Sequence, residues 1–157
     1  SMSDTESFRR AMTYAQQLLS YRPRTSVAVR TKLLERFSSP ITDKVLVTLC
    51  EQALINDEKF AEMWVESRQS TNPRSVTLLK HELLSKGISE NIVEQVLKEL
   101  NDDDNAYRAA LRHSKRLHHL DYRTFSRKMW SFLMRRGFAD CTIRKTVRQL
   151  RLGCATE

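Results

Sequence analysis

The chain has 157 residues, 40% of them apolar, and carries a formal net charge of +8. Only 3 glycines and 3 prolines interrupt it, which favours long helices and argues against a β architecture with many turns. No stretch reaches the roughly 18 apolar residues of a membrane span, the N-terminus has no apolar signal core, and the 3 widely spaced cysteines fit a reducing compartment, so we expect a cytoplasmic protein.

The positive charge is unevenly distributed along the chain. Residues 1–55 hold 8 basic and 5 acidic residues, residues 56–100 hold 6 and 8, and residues 101–157 hold 13 and 6. The last third therefore carries most of the excess, and an excess of this kind points to a polyanion or an acidic protein surface as the partner.

The first third of the chain predicts three short helices. Phe37 follows the second of them, and Pro40 is expected to end that helix. The residues expected to face inward recur at helical spacing: Tyr14, Ala15, Leu18 and Leu19, then Leu33 and Leu34, then Val45, Val47, Leu49, Cys50 and Leu54.

The middle third gives the clearest helix signals. Asn56 or Asp57 can cap its first helix, and Asn72 before Pro73 is expected to start the second. Gly87 ends the second helix, since glycine takes the left-handed conformation without strain, and Ser89 caps the third. The inward-facing residues are Phe60, Ala61, Trp64, Val65, Val76, Leu79, Leu83, Leu84, Ile92, Val93, Val96, Leu97 and Leu100.

The last third repeats this arrangement after an acidic segment, residues 101–105, which we interpret as a solvated linker that can also cap the following helix. Its second helix is expected to stop at Gly137. The residues expected to face inward are Tyr107, Ala110, Leu111, Ser114, Leu117, Phe125, Met129, Phe132, Leu133, Ile143, Val147 and Leu150.

The three thirds are related by a shift of fifty residues. "LLSKGIS" at 83–89 and "LMRRGFA" at 133–139 share one pattern, and Pro23-Arg24 precedes Pro73-Arg74 by the same interval. We predict an all-α, elongated and curved array of three tandem three-helix repeats, with boundaries at 1–55, 56–101 and 102–157. Stacking would cover the apolar surface that each small unit cannot bury alone.

No catalytic or metal-binding constellation is evident. The phosphate loop, the dinucleotide fingerprint and the H-E-x-x-H motif are all missing, and His118 and His119 are adjacent rather than four positions apart. Cys50 lies on an apolar stripe, which is typical of a core residue rather than a nucleophile. We therefore expect no enzyme activity, no metal and no cofactor.

Basic residues, in contrast, recur on helix faces of the last repeat. Arg144, Arg148 and Arg151 lie opposite an apolar stripe, so they can meet phosphate or carboxylate without disturbing the core, although a solvated helix face shows the same pattern. The full set of candidate partner-binding or DNA-binding residues is Arg24, Arg68, Arg74, Arg108, Arg112, Lys115, Arg127, Lys128, Arg135, Arg136, Arg144, Arg148 and Arg151.

The middle repeat, at residues 55–89, resembles the RecX family of bacterial recombination regulators. The motifs that carry the resemblance are the acidic pair before Phe60-Ala61, Trp64, Ser67-Arg68, Pro73-Arg74, Glu82-Leu83 and Lys86-Gly87-Ile88. The R-R-G-F stop at 135–138 and "YAQQLLSYRPRT" near the N-terminus extend the likeness over nearly the whole chain. Two departures are Ala53, near which the family usually has glycine, and Phe37 with Pro40 in place of a basic-Gly stop.

This resemblance implies a monomeric helical-repeat protein whose partner is the RecA recombinase filament on single-stranded DNA. Family members are thought to lie in the groove of that filament or to cap its growing end. They suppress the ATP hydrolysis, strand exchange and repressor co-cleavage of RecA, so the resemblance implies a regulator.

A stand-alone DNA-binding helical array is the alternative function, because two helices joined by a short glycine turn are similar to a helix-turn-helix. Against it, the helices after Gly87 and Gly137 begin with the small and acidic pairs Ser89-Glu90 and Ala139-Asp140. A helix that enters the major groove usually begins with basic or amide side chains. Direct contact with single- or double-stranded DNA is expected, and this contact is expected to be weak for the protein alone.

Overall fold

The computed structural model describes the backbone of residues 3–156 and the side chains of residues 3–153. Within this range the chain forms nine α-helices and no strand, which confirms the all-α prediction. The helices are α1 Asp4–Tyr21, α2 Ser26–Leu34, α3 Ser39–Glu51, α4 Asp57–Thr71, α5 Val76–Ser85, α6 Glu90–Leu97, α7 Asp102–Ser114, α8 Tyr122–Arg135 and α9 Asp140–Thr156.

The fifty-residue register places equivalent leucines at equivalent depths. Leu33, Leu83 and Leu133 are all fully buried, each near the end of the second helix of its repeat. One turn earlier, Val29, Leu79 and Met129 are fully buried as well. Because residues four apart lie on one face of a helix, each second helix presents a single apolar stripe.

Two of the predicted helix boundaries are wrong, one helix end and one helix start. Pro40 does not end α2; it lies in the first turn of α3, where its missing N–H costs nothing, and Ser38 caps that helix. Asn72 does not start α5, which Ser75 caps by accepting a hydrogen bond from the Leu78 N–H at 3.0 Å. The predicted caps Asn56 and Ser89 are confirmed, at 3.0 Å to Lys59 N and 3.4 Å to Ile92 N.

Both stop glycines have a left-handed backbone, with φ of +83° at Gly87 and +88° at Gly137. Each is also a point of close approach. A Cβ at Gly87 would lie 2.6 Å from Val27 Cγ2, and one at Gly137 would lie 3.0 Å from Leu78 Cβ and closer still to the Ser75 hydroxyl. The glycines therefore end their helices and let those ends pack on the second helix of the preceding repeat.

The first repeat ends its second helix without glycine. Phe37 is half-buried and packs on the core of that repeat, with its ring centroid 6.3 Å from that of Tyr14. A left-handed residue appears instead at Ala53, with φ of +57°, directly after α3. Leu54 N and Ile55 N then donate back to Leu49 O at 2.9 and 3.3 Å. Ala53 thus occupies the conformation that glycine favours.

The described residues form two compact units. One comprises the chain up to Met63 together with Leu83–Val96, and the other comprises Trp64–Glu82 with the chain from Leu97 onward. The middle repeat is thus divided between the two. Ala15, Val29 and Leu49 are fully buried in the core of the first unit, and Met129, Leu133 and Ile143 are fully buried in the core of the second.

The acidic segment at 101–105 is not a solvated linker, contrary to the prediction. Asn101 caps α7 by accepting from Asp104 N at 3.1 Å, as expected. Asp102, however, accepts a 2.8 Å hydrogen bond from Val76 N at the start of α5, and Asn105 is buried. Asp57 does the same for Ser26 at the start of α2, at 2.8 Å. The first residue of the first helix of a repeat, Asp57 in α4 and Asp102 in α7, thus caps the second helix of the repeat before it.

Several residues expected to face inward are exposed. Cys50 is exposed, so it is not a core residue, and Val47, Leu54 and Leu111 are 57%, 46% and 42% exposed. Leu54 lies beyond the end of α3, whereas the other three lie within helices. Cys141 is also exposed, and the side chain of Cys154 lies outside the described residues.

A candidate basic interface in the third repeat

Helices α7 and α8 both carry basic residues at their C-terminal ends. Arg112 and His113 lie in the last turn of α7 and Arg135 in the last turn of α8, where cations meet the negative end of the helix dipole. The acidic residues of α7 lie at its opposite end, and Asp104 is eight residues, or about 12 Å, from Arg112 along the helix.

These helix ends enclose a cleft of about 600 Å³, here termed the α7–α8 cleft. Thr71, Asn72 and Pro73 line it on one side, and no acidic residue among those the structure describes contributes to it. Its titratable lining consists of Arg112, His113, Lys115, Arg116, Arg135 and Arg136. Four of these were predicted as partner-binding residues, and the structure brings those four together.

Phe132 forms the floor beneath this cluster. The imidazole of His113 stacks on the ring, with centroids 3.9 Å apart and planes 10° from parallel, and the guanidinium of Arg136 lies 4.8 Å from the ring centroid. Phe132 itself is only 9% exposed. The Nη1 atom of Arg136 is buried, and no residue in the described part of the chain accepts a hydrogen bond from it.

The electrostatic environment of the cleft disfavours additional positive charge. Burial lowers the pKa of His113 from its ordinary value, and the neighbouring Arg116, Arg135 and Arg136 lower it further. Burial also lowers the pKa of Arg136, with smaller contributions from Arg74 and Arg135. His113 is thus held toward its neutral form by burial and by the cations around it.

Two arginines of α7 donate hydrogen bonds to the end of α4. Arg108 donates to Gln69 O at 3.2 Å and to Asn105 Oδ1 at 3.0 Å. Arg112 donates through Nη1 to Ser70 O at 2.8 Å. Both side chains are nevertheless exposed, so their remaining N–H groups can meet a partner.

The predicted basic face of α9 lies outside this cleft. Arg144 and Arg148 are exposed, while Ile143 and Val147 on the opposite face are buried, as predicted. Arg151 packs over the Tyr122 ring at 4.5 Å. Arg127 and Lys128 are exposed on α8 and do not line the cleft.

The three candidates from the first two repeats are engaged in internal contacts. Arg24 donates to Leu18 O at 3.2 Å, and Arg68 lies 3.9 Å from the Trp64 ring centroid. Arg74 forms an ion pair with Glu82, which also accepts from Trp64 Nε1 at 3.1 Å. The Arg74 and Glu82 side chains are 13% and 18% exposed, so these contacts give Arg74 a structural role.

Sequence reasoning missed His113 and Arg116. Arg116 stands four residues after Arg112 and one after Lys115, so the same helical spacing that selected those two also marks it. His113 carries no such signal, because its place in the cleft depends on stacking with Phe132 from another helix.

The described residues contain no group of three or more histidine, cysteine, aspartate or glutamate side chains that could hold a metal ion. Nor does any helix between residues 3 and 156 combine the length and apolar character that a membrane crossing requires.

Comparison with known proteins identifies the same family over most of the chain. Residues 11–49 match the family model "RecX, first three-helix domain", and residues 56–97 match "RecX, second three-helix domain". The Regulatory protein RecX of Chlorobium phaeobacteroides strain BS1 is 35% identical over 150 residues, covering 95% of this chain and 98% of that one. That of Chlorobium limicola is 32% identical and covers 89% of both chains.

The fold has a solved counterpart. The crystal structure of RecX from Lactobacillus salivarius superimposes with a TM-score of 0.80 at 26% sequence identity, covering 94% of this chain and 99% of that one.

Proposed function

This chain belongs to the RecX family, and we propose that it is a regulator that binds the RecA filament on single-stranded DNA. In this proposal it mainly inhibits the ATPase, strand exchange and co-protease activities of RecA. Membership of a family of regulatory proteins supports the role, and the family resemblance supplies the partner.

The proposed binding surface is the exposed face of α9, and its two arginines are the observation that supports it. Arg144 and Arg148 are exposed, and among the described residues neither forms an ion pair. The opposite face of the same helix supplies Ile143 to the core, so these arginines can be removed without opening it. Exposed guanidinium groups of this kind bind phosphate oxygens or carboxylates through two N–H groups at once.

The test is the double substitution Arg144→Ala with Arg148→Ala. We expect a folded protein that binds the RecA filament more weakly and inhibits its ATPase less. The control is Lys145→Ala. It removes a cation from the same helix, but this cation is already paired with Asp103 at 3.4 Å. Full inhibition by a folded double variant would contradict the proposed surface.

The salt dependence of binding identifies what the arginines contact. Each lost phosphate contact flattens the slope of log affinity against log salt by roughly 0.7–0.9. Weaker binding with an unchanged slope would place the arginines on RecA carboxylates instead. Binding to naked DNA that equals binding to the filament would favour the alternative, a stand-alone DNA-binding array.

A further inference from the structure

The α7–α8 cleft gathers positive charge without any neutralising group. Among the described residues, its lining contains five cations and no acidic residue, and none of the five cations forms an ion pair. The five are Arg112, Lys115, Arg116, Arg135 and Arg136. Like charges held this close repel one another. The acidic residues of α7 lie at the other end of that helix, so they do not offset this repulsion. An anion in the cleft would remove this repulsion.

The chemistry of the lining favours phosphate groups over nucleobases. A base would need an open aromatic face on which to stack, but His113 covers one face of Phe132 and Arg136 also lies against the ring. The guanidinium groups present planar N–H forks suited to phosphate oxygens. The cleft, at about 600 Å³, has room for more than one phosphate.

Arg136 adds a donor that the fold leaves unused. Its Nη1 atom is buried and has no hydrogen-bond partner among the described residues, although its backbone carbonyl accepts from Ser75 N at 2.9 Å and fixes the residue in place. A buried N–H group of a charged side chain is costly to leave unsatisfied. An oxyanion that reached it from the cleft would satisfy it.

We propose that the α7–α8 cleft is a binding site for closely spaced phosphate groups, supplied either by a nucleic-acid backbone or by a free polyphosphate. Recognition is independent of base identity, because the cleft contacts phosphates alone. The site goes beyond the proposed regulatory function. It lies on α7 and α8 rather than on the face of α9, so the two proposals can be tested independently.

His113 gives the site a second, independent signature. The charged groups that face it are Arg116 from the end of α7 and Arg135 and Arg136 from the end of α8, and all of them oppose its protonation. A bound anion offsets the field of these arginines and raises the pKa of His113. A phosphodiester keeps its charge at neutral pH. If the protein binds it more tightly as the pH falls from about 8 to about 6, the cause is therefore protonation of the protein.

The experiment measures binding of a short fluorescent oligothymidylate by anisotropy. Arg116→Ala with Arg135→Ala removes two exposed cleft cations and should weaken binding about tenfold or more. It should also flatten the salt slope by about 1.4. The control is Arg22→Ala with Arg123→Ala, which removes the same charge from exposed positions outside the cleft and should have a small effect. His113→Gln should abolish the pH dependence.

Competition distinguishes the two sources of phosphate. Displacement by longer oligothymidylate but only weakly by inorganic triphosphate identifies a nucleic-acid backbone, and the reverse order identifies a free polyphosphate. Equal binding by wild type, cleft variant and control overturns the proposal, as does stronger displacement by oligoglutamate than by either phosphate probe. RecA ATPase inhibition, measured in parallel, separates failure of this site from failure of the regulatory function.

Discussion

Gly137→Ala tests how consecutive repeats pack. Gly137 has a φ of +88°, and its N–H donates to Met134 O at 2.9 Å to close α8. An added Cβ would lie 3.0 Å from Leu78 Cβ and closer still to Ser75 Oγ. Ser75 is fully buried and its hydroxyl accepts from Leu78 N at 3.0 Å, so it cannot move away without breaking the cap of α5.

The expected cost has three parts. A residue with a Cβ in the left-handed region costs roughly 1–2 kcal/mol, and overpacking against Ser75 and Leu78 costs roughly 1–3 kcal/mol. Alanine also lowers the conformational entropy of the unfolded chain, which offsets about 0.4–1 kcal/mol of this cost. The net expectation is a loss of about 2–4 kcal/mol in the free energy of unfolding.

Urea unfolding followed by far-ultraviolet circular dichroism measures this loss. Gly153→Ala is the matched control, because Gly153 lies within α9 and an added Cβ there would meet no atom within 4 Å. The same chemical change should therefore stabilise the protein slightly, by up to about 1 kcal/mol. Equal shifts for the two variants, or a Gly137→Ala protein as stable as wild type, would refute the packing role of Gly137.

Three further outcomes are expected. Ala53→Gly should stabilise the protein by about 0.5–1 kcal/mol in the same assay, because Ala53 is held at φ of +57°; destabilisation would contradict this. Leu83→Ala and Leu133→Ala should each cost roughly 2–5 kcal/mol, while Leu111→Ala, at a 42% exposed position, should cost less than about 1 kcal/mol. Because the pKa of His113 is lowered in the folded protein, the folded state binds fewer protons than the unfolded chain, so stability should fall as the pH drops below about 6.5; an identical pH profile for His113→Gln would exclude that cause.

Local sequence signals determined the helices, because the interactions that start and stop a helix involve residues only a few positions apart. Asn56 and Ser89 cap as expected, and Gly87 and Gly137 end their helices with positive φ. The fifty-residue register also follows from sequence. It places Leu83 at the same depth as its counterparts in the other repeats, since each of these leucines lies near the end of the second helix of its repeat.

Which part of an apolar stripe is covered was decided by tertiary structure. Cys50 and Leu111 lie on apolar stripes yet are exposed, because burial depends on where the neighbouring helix crosses. The sequence around Asp102 predicts a solvated linker, but the carboxylate of Asp102 caps a helix that begins 26 residues earlier. No local pattern contains that contact.

The same division holds for the charged residues. Sequence alone determined that the last repeat is basic, because charge is a sum over residues and does not depend on their positions. It could not distinguish Arg74, which the fold uses in an ion pair with Glu82, from Arg135, which lines the α7–α8 cleft. Only the packing of α7 against α8 brings Arg135 to His113 and Arg116, since side chains more than a helical turn apart in sequence meet only where helices do.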